Sequence, residues 1–450
     1  MTDRVRVLVP SGALGLGYDT AALARGIAAG PDIIAIDGGS TDSGPSYLGR
    51  GVSKYSRAGT RAEWRGLIEA RAQAGVPLVI GTAGTCGAGT AVDWLYDITV
   101  EVLAELGLTA KVALLKSDQA VDRVTDALAS GALTPLPGAP EVDADSVASC
   151  TNIVALAGAE QIAAALDTGA DIVIAGRTTD TAIIAALPLM RGMDAGAAWH
   201  GAKIGECGAL CATNPQSGVI LVDIDRDGFT ITPMADTSRA TPRTVAAHML
   251  YENSDPFILY EPGGHLDVTR ATYTATDDRS VRVAGSVWVP GPYAVKLEGA
   301  RIAGYQTMLM ATIRDPAYVA ASAAWCADVH ARHAARVADR LGDVAYTMEL
   351  RRIGVDATLG ALEPREGQPA EVGILAVVTA ADQQTAHDVA MLANPFLLHH
   401  PLTPDEPQPT FAFPFSPAEI DLGPSYAFAL HHVMALTDPM EAFELEVRDV

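Results

Sequence analysis

Carboxylates, hydroxyls and one histidine recur at the ends of apolar runs, and their types and spacing suit proton transfer next to a carbonyl. Tyr260-Glu261-Pro262-Gly263-Gly264-His265-Leu266-Asp267 places an imidazole between two carboxylates around a Gly-Gly turn. His265 is the preferred general acid or base, because a free imidazole titrates near pH 6.5. Asp267 can orient it, and Glu261 is a second base. Glu261, His265 and Asp267, with Asp37, are also a set of oxygen and nitrogen donors for a divalent cation such as Mg2+ or Mn2+. The plainer alternative is a loop histidine bonded to backbone. Glu206 stands among small residues, where a carboxylate is easily desolvated and titrates near neutrality. Lys296 and Glu298 alternate along a strand-like segment and so share one face, as a proton-moving or acid-binding pair or as an ordinary solvated one.

Glycine-rich turns follow several of the same runs. Ile33-Ile34-Ala35-Ile36 ends at Asp37, then breaks into Gly38-Gly39-Ser40-Thr41-Asp42. Glycine lets backbone N–H groups approach a ligand, while Ser40, Thr41 and Asp42 offer polar contacts. Gly12, Gly15 and Gly17 follow the first apolar run and precede a helix, where an anion is expected at the helix N-terminus. Their spacing is not the ordered G-x-G-x-x-G fingerprint. Gly81, Thr82 and Gly84 open a third such loop that lacks the lysine of a Walker A motif. Arg177-Thr178-Thr179-Asp180 follows a fourth run; Arg177 can clamp a carboxylate bidentately, with Thr178 and Asp180 beside it, or form a structural Arg–Asp pair. Cys207 and Cys211 are four apart, which suits one helical face, yet no tight Cys-x-x-Cys accompanies them, Cys86 or Cys150.

Strands alternating with helices must position these turns. Strands are expected at Val5–Val9, 33–36, 77–80, 111–115 and 171–175, with helices at 20–29, 61–74 and 92–106 between them. That alternation argues for βαβ units and an α/β class: a mostly parallel sheet in a Rossmann-like N-terminal domain, residues 1–222, followed by an α+β domain, residues 223–450, contributing the Glu261/His265 loop. Residues 133–145 read as a long loop or lid, and 316–341 as one Ala-rich helix.

Composition narrows the function classes. The 450-residue chain is 49% hydrophobic and 19% charged, so it can bury large cores. A formal charge of −23 without clustered Lys or Arg argues against nucleic acid. No apolar run reaches the roughly 18 residues of a membrane span. Met1-Thr2-Asp3-Arg4-Val5 leads straight into a strand, so no secretory leader is expected. Five cysteines read as reduced thiols in a cytoplasm.

Asp37–Gly49, Ile174–Asp180, Trp199–Gly208, Tyr260–His265 and Lys296–Ala300 together resemble the AtuA group of acyclic terpene utilisation proteins. The resemblance implies a bacterial catabolic protein that acts near acyl-CoA or branched-acid metabolism and is often accompanied by a small domain. That domain is not recognised here, so a small separate partner chain, along with a homo-oligomer, is part of the expectation. The family brings no established catalytic residues. The leading expectation is a lyase or isomerase acting on a small anionic carboxylic acid or acyl-CoA. His265 or Glu261 would be the base, Arg177 the clamp, and Asp42, Glu206 or Lys296 the acid. The alternatives are an amide or ester hydrolase using Ser40, Thr41 or Cys86, and a non-catalytic subunit that binds a ligand or partner chain.

Overall fold

The computed structural model describes residues 3–365 and 367–450. Met1 and Thr2, at the head of the segment expected to carry no leader, lie outside the described residues. The chain forms two compact units, Met1–Arg301 with Phe428–Val450, and Ile302–Ala427. The expected domain boundary at 222/223 falls inside the first, and so do Glu261 and His265. No helix among the described residues is long and apolar enough to cross a membrane.

The first unit is α/β and its main sheet is partly parallel. Five parallel strands lie in the order Arg4–Val9, Ile33–Asp37, Leu78–Gly81, Ile172–Ala175, Lys111–Lys116. Antiparallel strands extend both sides: Ile220–Asp225 and its neighbours beyond the first, and Glu444–Asp449 beyond the last. Every residue of Ile33–Asp37, Leu78–Gly81 and Ile172–Ala175 is buried. Side chains alternate between faces, so such β-branched runs must feed two cores. Ile34, Ile36, Leu78, Ile80 and Ile174 pack with Trp64, Leu67 and Leu95 of the helices Arg57–Ala74 and Gly89–Leu106. Ile33, Ala35, Val79 and Val173 pack on the other face with residues of Ala159–Asp167, Ala182–Met190 and Ala195–Gly205. The last helix is buried from Gly196 to Gly205, and Gly196, Gly201 and Gly205 let its backbone come close: a Cβ at Gly196 would lie 2.3 Å from the Ser286 carbonyl oxygen.

Several expectations are corrected. Residues 133–145 are not one open loop: Leu133–Pro135 is a strand paired with Met434, Val433 and His432. The Ala-rich helix is two, Pro316–Ala320 and Ser322–Leu341, because Asp315 caps the first and the chain turns at Ala321. In the second unit, Tyr346–Ile353, Val372–Ala380 and residues 305–313 pair antiparallel. Helices Ser322–Leu341 and Gln383–His399 complete its core around Trp325, Val329, Ile374 and Val389.

Candidate functional site

The carboxyl ends of the parallel strands deliver Ser11, Asp37, Thr82, Ser117 and Arg177 to one edge of the sheet. A cavity of about 580 Å³ opens there, lined among others by Gly12, Asp37, Ser40, Asp42, Asp180 and Cys207. Asp37 is only 3% exposed. Its Oδ2 accepts the Gly39 N–H at 2.8 Å, while Oδ1 is buried without a hydrogen-bond partner. Burial raises its carboxyl well above the usual range and Asp180 raises it further, against the pull of Arg177 and of the Gly39 and Gly38 amides. Burial raises Asp180 as well; Arg177 opposes this and Asp42 adds to it. Ser40 Oγ donates to Asp42 Oδ2 at 2.7 Å.

Arg177 is not a free clamp. Buried, it donates from Nε to Glu298 Oε2 at 3.1 Å and from Nη1 to the Thr178 carbonyl at 3.0 Å and to Thr82 Oγ1 at 3.2 Å. Asp180 Oδ1 lies 3.5 Å from Nη1. Thr41 Oγ1 donates to Glu298 Oε2 at 2.8 Å, and Lys296 Nζ sits 2.8 Å from Oε1. Burial alone would raise Glu298, but Arg177 and Lys296 outweigh it and bring the carboxyl down to about 2. Lys296, Glu298, Thr41 and Asp42 line a second cavity of about 590 Å³, so the expected acid Lys296 and the acid Asp37 face different spaces.

Two of the three glycine loops are built for packing. Thr82 N–H donates to the Gly176 carbonyl, Ala83 N–H to Ala175, Thr85 N–H to Thr82 and Gly87 N–H to Ala83, while Gly89 N–H meets Asp118 Oδ1 at 3.0 Å. Those amides are not available to cradle an anion. A Cβ at Gly81 would lie 2.4 Å from Thr178 Oγ1, and one at Gly84 2.9 Å from the Ala91 Cβ, so these glycines are fixed by close approach. Cys86 is fully buried there and burial raises its thiol, which removes its expected nucleophilic role. In the Gly12–Gly17 loop, Gly15 N–H donates to Glu63 Oε2 at 2.8 Å, and Asp19 caps the following helix by accepting from Ala21 and Ala22 N–H. A carboxylate of the protein therefore holds the helix N-terminus expected to bind an anion.

Of the expected acid–base trio, Glu261 separates from His265 and Asp267, which share a strand face. Glu261 pairs with Gly264 and Tyr260 with His265 in the hairpin of Ile258–Glu261 and Gly264–Asp267. Alternation then sends His265 to the side of Tyr260, whose ring lies 5.5 Å away and which is 78% exposed. Glu261 turns inward: Thr181 Oγ1 donates to its Oε1, and its Oε2 is buried without a partner. Burial, opposed by the Thr181 and Thr179 hydroxyls and helped by Asp180, pushes Glu261 up to about 7. Asp267 accepts from Thr269 N–H and Oγ1 on the surface. The expected metal set of Asp37, Glu261, His265 and Asp267 does not converge. Among the described residues, the group of three His, Cys, Asp or Glu donors that come within 4.8 Å of one another is Glu206, Cys207 and His248.

That trio sits where the buried helix Ala195–Gly205 ends. Lys203, near the negative end of the helix dipole, pairs with Glu206 and donates to the Tyr251 carbonyl at 2.9 Å. Burial pushes Glu206 up to about 8 against the pull of Lys203. Cys211 is not on a shared helical face with Cys207: the helix stops at Gly205, and Gly208–Cys211 is a tighter turn with Cys211 Sγ directed at the Gly208 carbonyl. Sequence reasoning missed Lys203 as a site residue, although Lys203-x-x-Glu206 has the i, i+3 spacing of a helical ion pair. It also missed His248, for which no local signal exists.

No curated protein and no solved structure matches the chain. Residues 65–405 match the family model described as acyclic terpene utilisation family protein AtuA. The matched span contains the Ile174–Asp180, Trp199–Gly208, Tyr260–His265 and Lys296–Ala300 motifs and begins after Asp37–Gly49. The chain belongs to the AtuA family.

Proposed function

We propose that the chain is an enzyme of the lyase or isomerase type that moves a proton next to the carbonyl of a small carboxylic acid or its thioester, in a Rossmann-like arrangement with the ligand at the carboxyl edge of the parallel sheet. The observation that carries this reading is the Asp37 carboxyl: buried, in the wall of a ligand-sized cavity, with one oxygen unpartnered. Asp37 and Asp180 in that wall both have raised pKa, and Asp180 adds to the shift of Asp37. A like charge nearby disfavours ionisation, so Asp37 keeps its proton more readily than an ordinary carboxyl. A neutral carboxyl donates a hydrogen bond to a carbonyl or carboxylate oxygen, which is how an acid-lined cavity accepts an anionic substrate. The ionised partner then takes the proton from the adjacent carbon. His265 has no part in this reading, because it lies on the other face of its hairpin from Glu261.

The test is solvent deuterium exchange into a panel of small carboxylic acids and acyl-CoA thioesters, followed by NMR. Exchange at the carbon next to the carbonyl should fall by about 10²–10⁴-fold in Asp37→Asn, the usual share of a general acid–base group. Exchange that persists unchanged in Asp37→Asn, with the fold intact, refutes the assignment. A hydrolase reading survives only through Ser40, whose hydroxyl donates to Asp42 at the cavity wall. Thr41 directs its proton to Glu298 and Cys86 is enclosed. An acyl adduct on Ser40 in intact-mass measurements would favour it.

A further inference from the structure

We infer that Glu206, Cys207 and His248 form a transition-metal site of the zinc type, with an open coordination position toward the cavity that holds Asp37. The inference is independent of the proton-transfer reading, which uses none of these three residues.

Three donors of different chemistry converge. A carboxylate oxygen, the Cys207 sulfur and an imidazole nitrogen lie within 4.8 Å of one another. Bonds of about 2.0–2.3 Å in a tetrahedron set donor separations of about 3.3–3.8 Å, so small side-chain movements bring the three onto one ion. Glu206 and His248 are 6% and 5% exposed. His248 Nε2 is buried without a hydrogen-bond partner, an arrangement that disfavours folding unless something takes the nitrogen's lone pair or proton. Tyr251 stacks on the ring at 5.4 Å and fixes its plane. Cys207, by contrast, lines the cavity. Three protein ligands with one cavity-facing side are the pattern of a catalytic rather than a structural zinc site, which would be closed by a fourth ligand.

The donor set selects the metal class. A thiolate with an imidazole favours zinc and its neighbours over Mg2+ or Ca2+, which take oxygen ligands. Binding releases the Cys207 thiol proton to solvent and places the thiolate on the ion. Lys203 holds Glu206 through Oε1 and is itself anchored to the Tyr251 carbonyl, so it orients the carboxylate as an outer partner.

The experiment titrates the chelator-treated full-length protein with Zn2+ and with Co2+, using inductively coupled plasma mass spectrometry and absorption spectroscopy. One ion per chain is expected. Co2+ should give the intense visible bands of a tetrahedral site and a thiolate-to-cobalt charge-transfer band. In Cys207→Ser and His248→Ala, Zn2+ affinity should weaken by more than about 100-fold, beyond the effect of losing an outer partner. Cys211→Ser, altering a buried thiol outside the trio, should bind as the parent does. Should either ligand variant misfold, alkylation of the parent decides: Zn2+ should shield Cys207 from iodoacetamide and leave the labelling of Cys150 unchanged. Absence of stoichiometric binding by the folded parent, no charge-transfer band, or unaltered affinity in both folded ligand variants would overturn the inference. None of these readouts depends on turnover, so an inactive Asp37→Asn protein that still binds zinc separates this inference from the proton-transfer reading.

Discussion

The turn after Ile33–Asp37 and the loop after Leu78–Gly81 stand side by side at the same sheet edge, and both are rich in glycine and hydroxyls. One leaves Asp37 Oδ1 unpartnered beside a cavity, and Ser40 and Asp42 line the same space. The other gives its amides to protein carbonyls and a carboxylate, and buries its thiol. The difference lies in the neighbours. Arg177, arriving from the adjacent strand, fills the space over the second loop and bonds Thr82, while its backbone N–H meets the Gly87 carbonyl at 3.0 Å. Of these two glycine-rich strand ends, the one that keeps an unpartnered oxygen beside the cavity is the one Arg177 does not fill.

Breaking that neighbour should have the largest effect. Arg177→Met leaves Glu298 buried with Lys296 as its remaining cation and is expected to destabilise by about 3–5 kcal/mol in guanidinium unfolding at pH 7. The deficit should narrow in acid. Glu298 is held near 2 in the folded parent, so its contribution is present above the ordinary carboxylate value and is lost as pH falls toward 2. A deficit below 1 kcal/mol at pH 7 would mean that the second loop does not depend on Arg177.

Glu261 titrates with the opposite sign. Its folded carboxyl binds its proton up to about 7, above the ordinary value, so the native state holds more protons than the unfolded state between about pH 4.5 and 7. Stability should therefore fall across that window, by on the order of 3 kcal/mol from this group. Glu261→Gln should flatten this component of the curve of unfolding free energy against pH. An identical slope in parent and variant would show that Glu261 is better solvated than its contacts imply.

Glycine substitutions sharpen the comparison directly. A Cβ at Gly87 would lie 2.3 Å from Arg177 N, whereas one at Gly44 meets nothing within 4 Å; both glycines have positive φ. Backbone strain is therefore common to Gly87→Ala and Gly44→Ala, and overpacking should make the first worse by about 1–3 kcal/mol. Equal unfolding midpoints would remove the claim that the chain packs more tightly around Gly87 than around Gly44.

These contrasts also mark what a single sequence could reveal. The parallel strands were legible because runs such as Ile33–Ile36 are apolar on both faces, a pattern that only a sheet covered on both sides requires. Asp37, Ser40 and Asp42 were legible because they follow such a run. The loss of free donors in the Gly81–Gly89 loop was not, because the acceptors come from Ala175, Gly176 and Asp118, far along the chain. His248 was invisible for the same reason: its helix Pro242–His248 meets Cys207 only through the fold. The error over His265 was of another kind, since Pro262-Gly263 is a two-residue turn. Once that turn is recognised, Glu261 faces Gly264, His265 faces Tyr260, and the two proposed bases must point to opposite sides.

That register yields the smallest expected effect and the most direct check on the placement of the site. His265→Ala removes a cross-strand contact with Tyr260, for which about 0.2–1 kcal/mol is typical. Deuterium exchange into the substrate panel should be unchanged, since no cavity residue bonds the imidazole. Asp37→Asn, by contrast, should lower exchange by the about 10²–10⁴-fold expected of a general acid–base group while relieving a buried carboxyl whose pKa is raised, so it should not weaken the fold near neutrality. If His265→Ala stops exchange and Asp37→Asn does not, the chemistry belongs to the outer face of the hairpin, and the unpartnered oxygen in the cavity wall marks something other than the proton carrier.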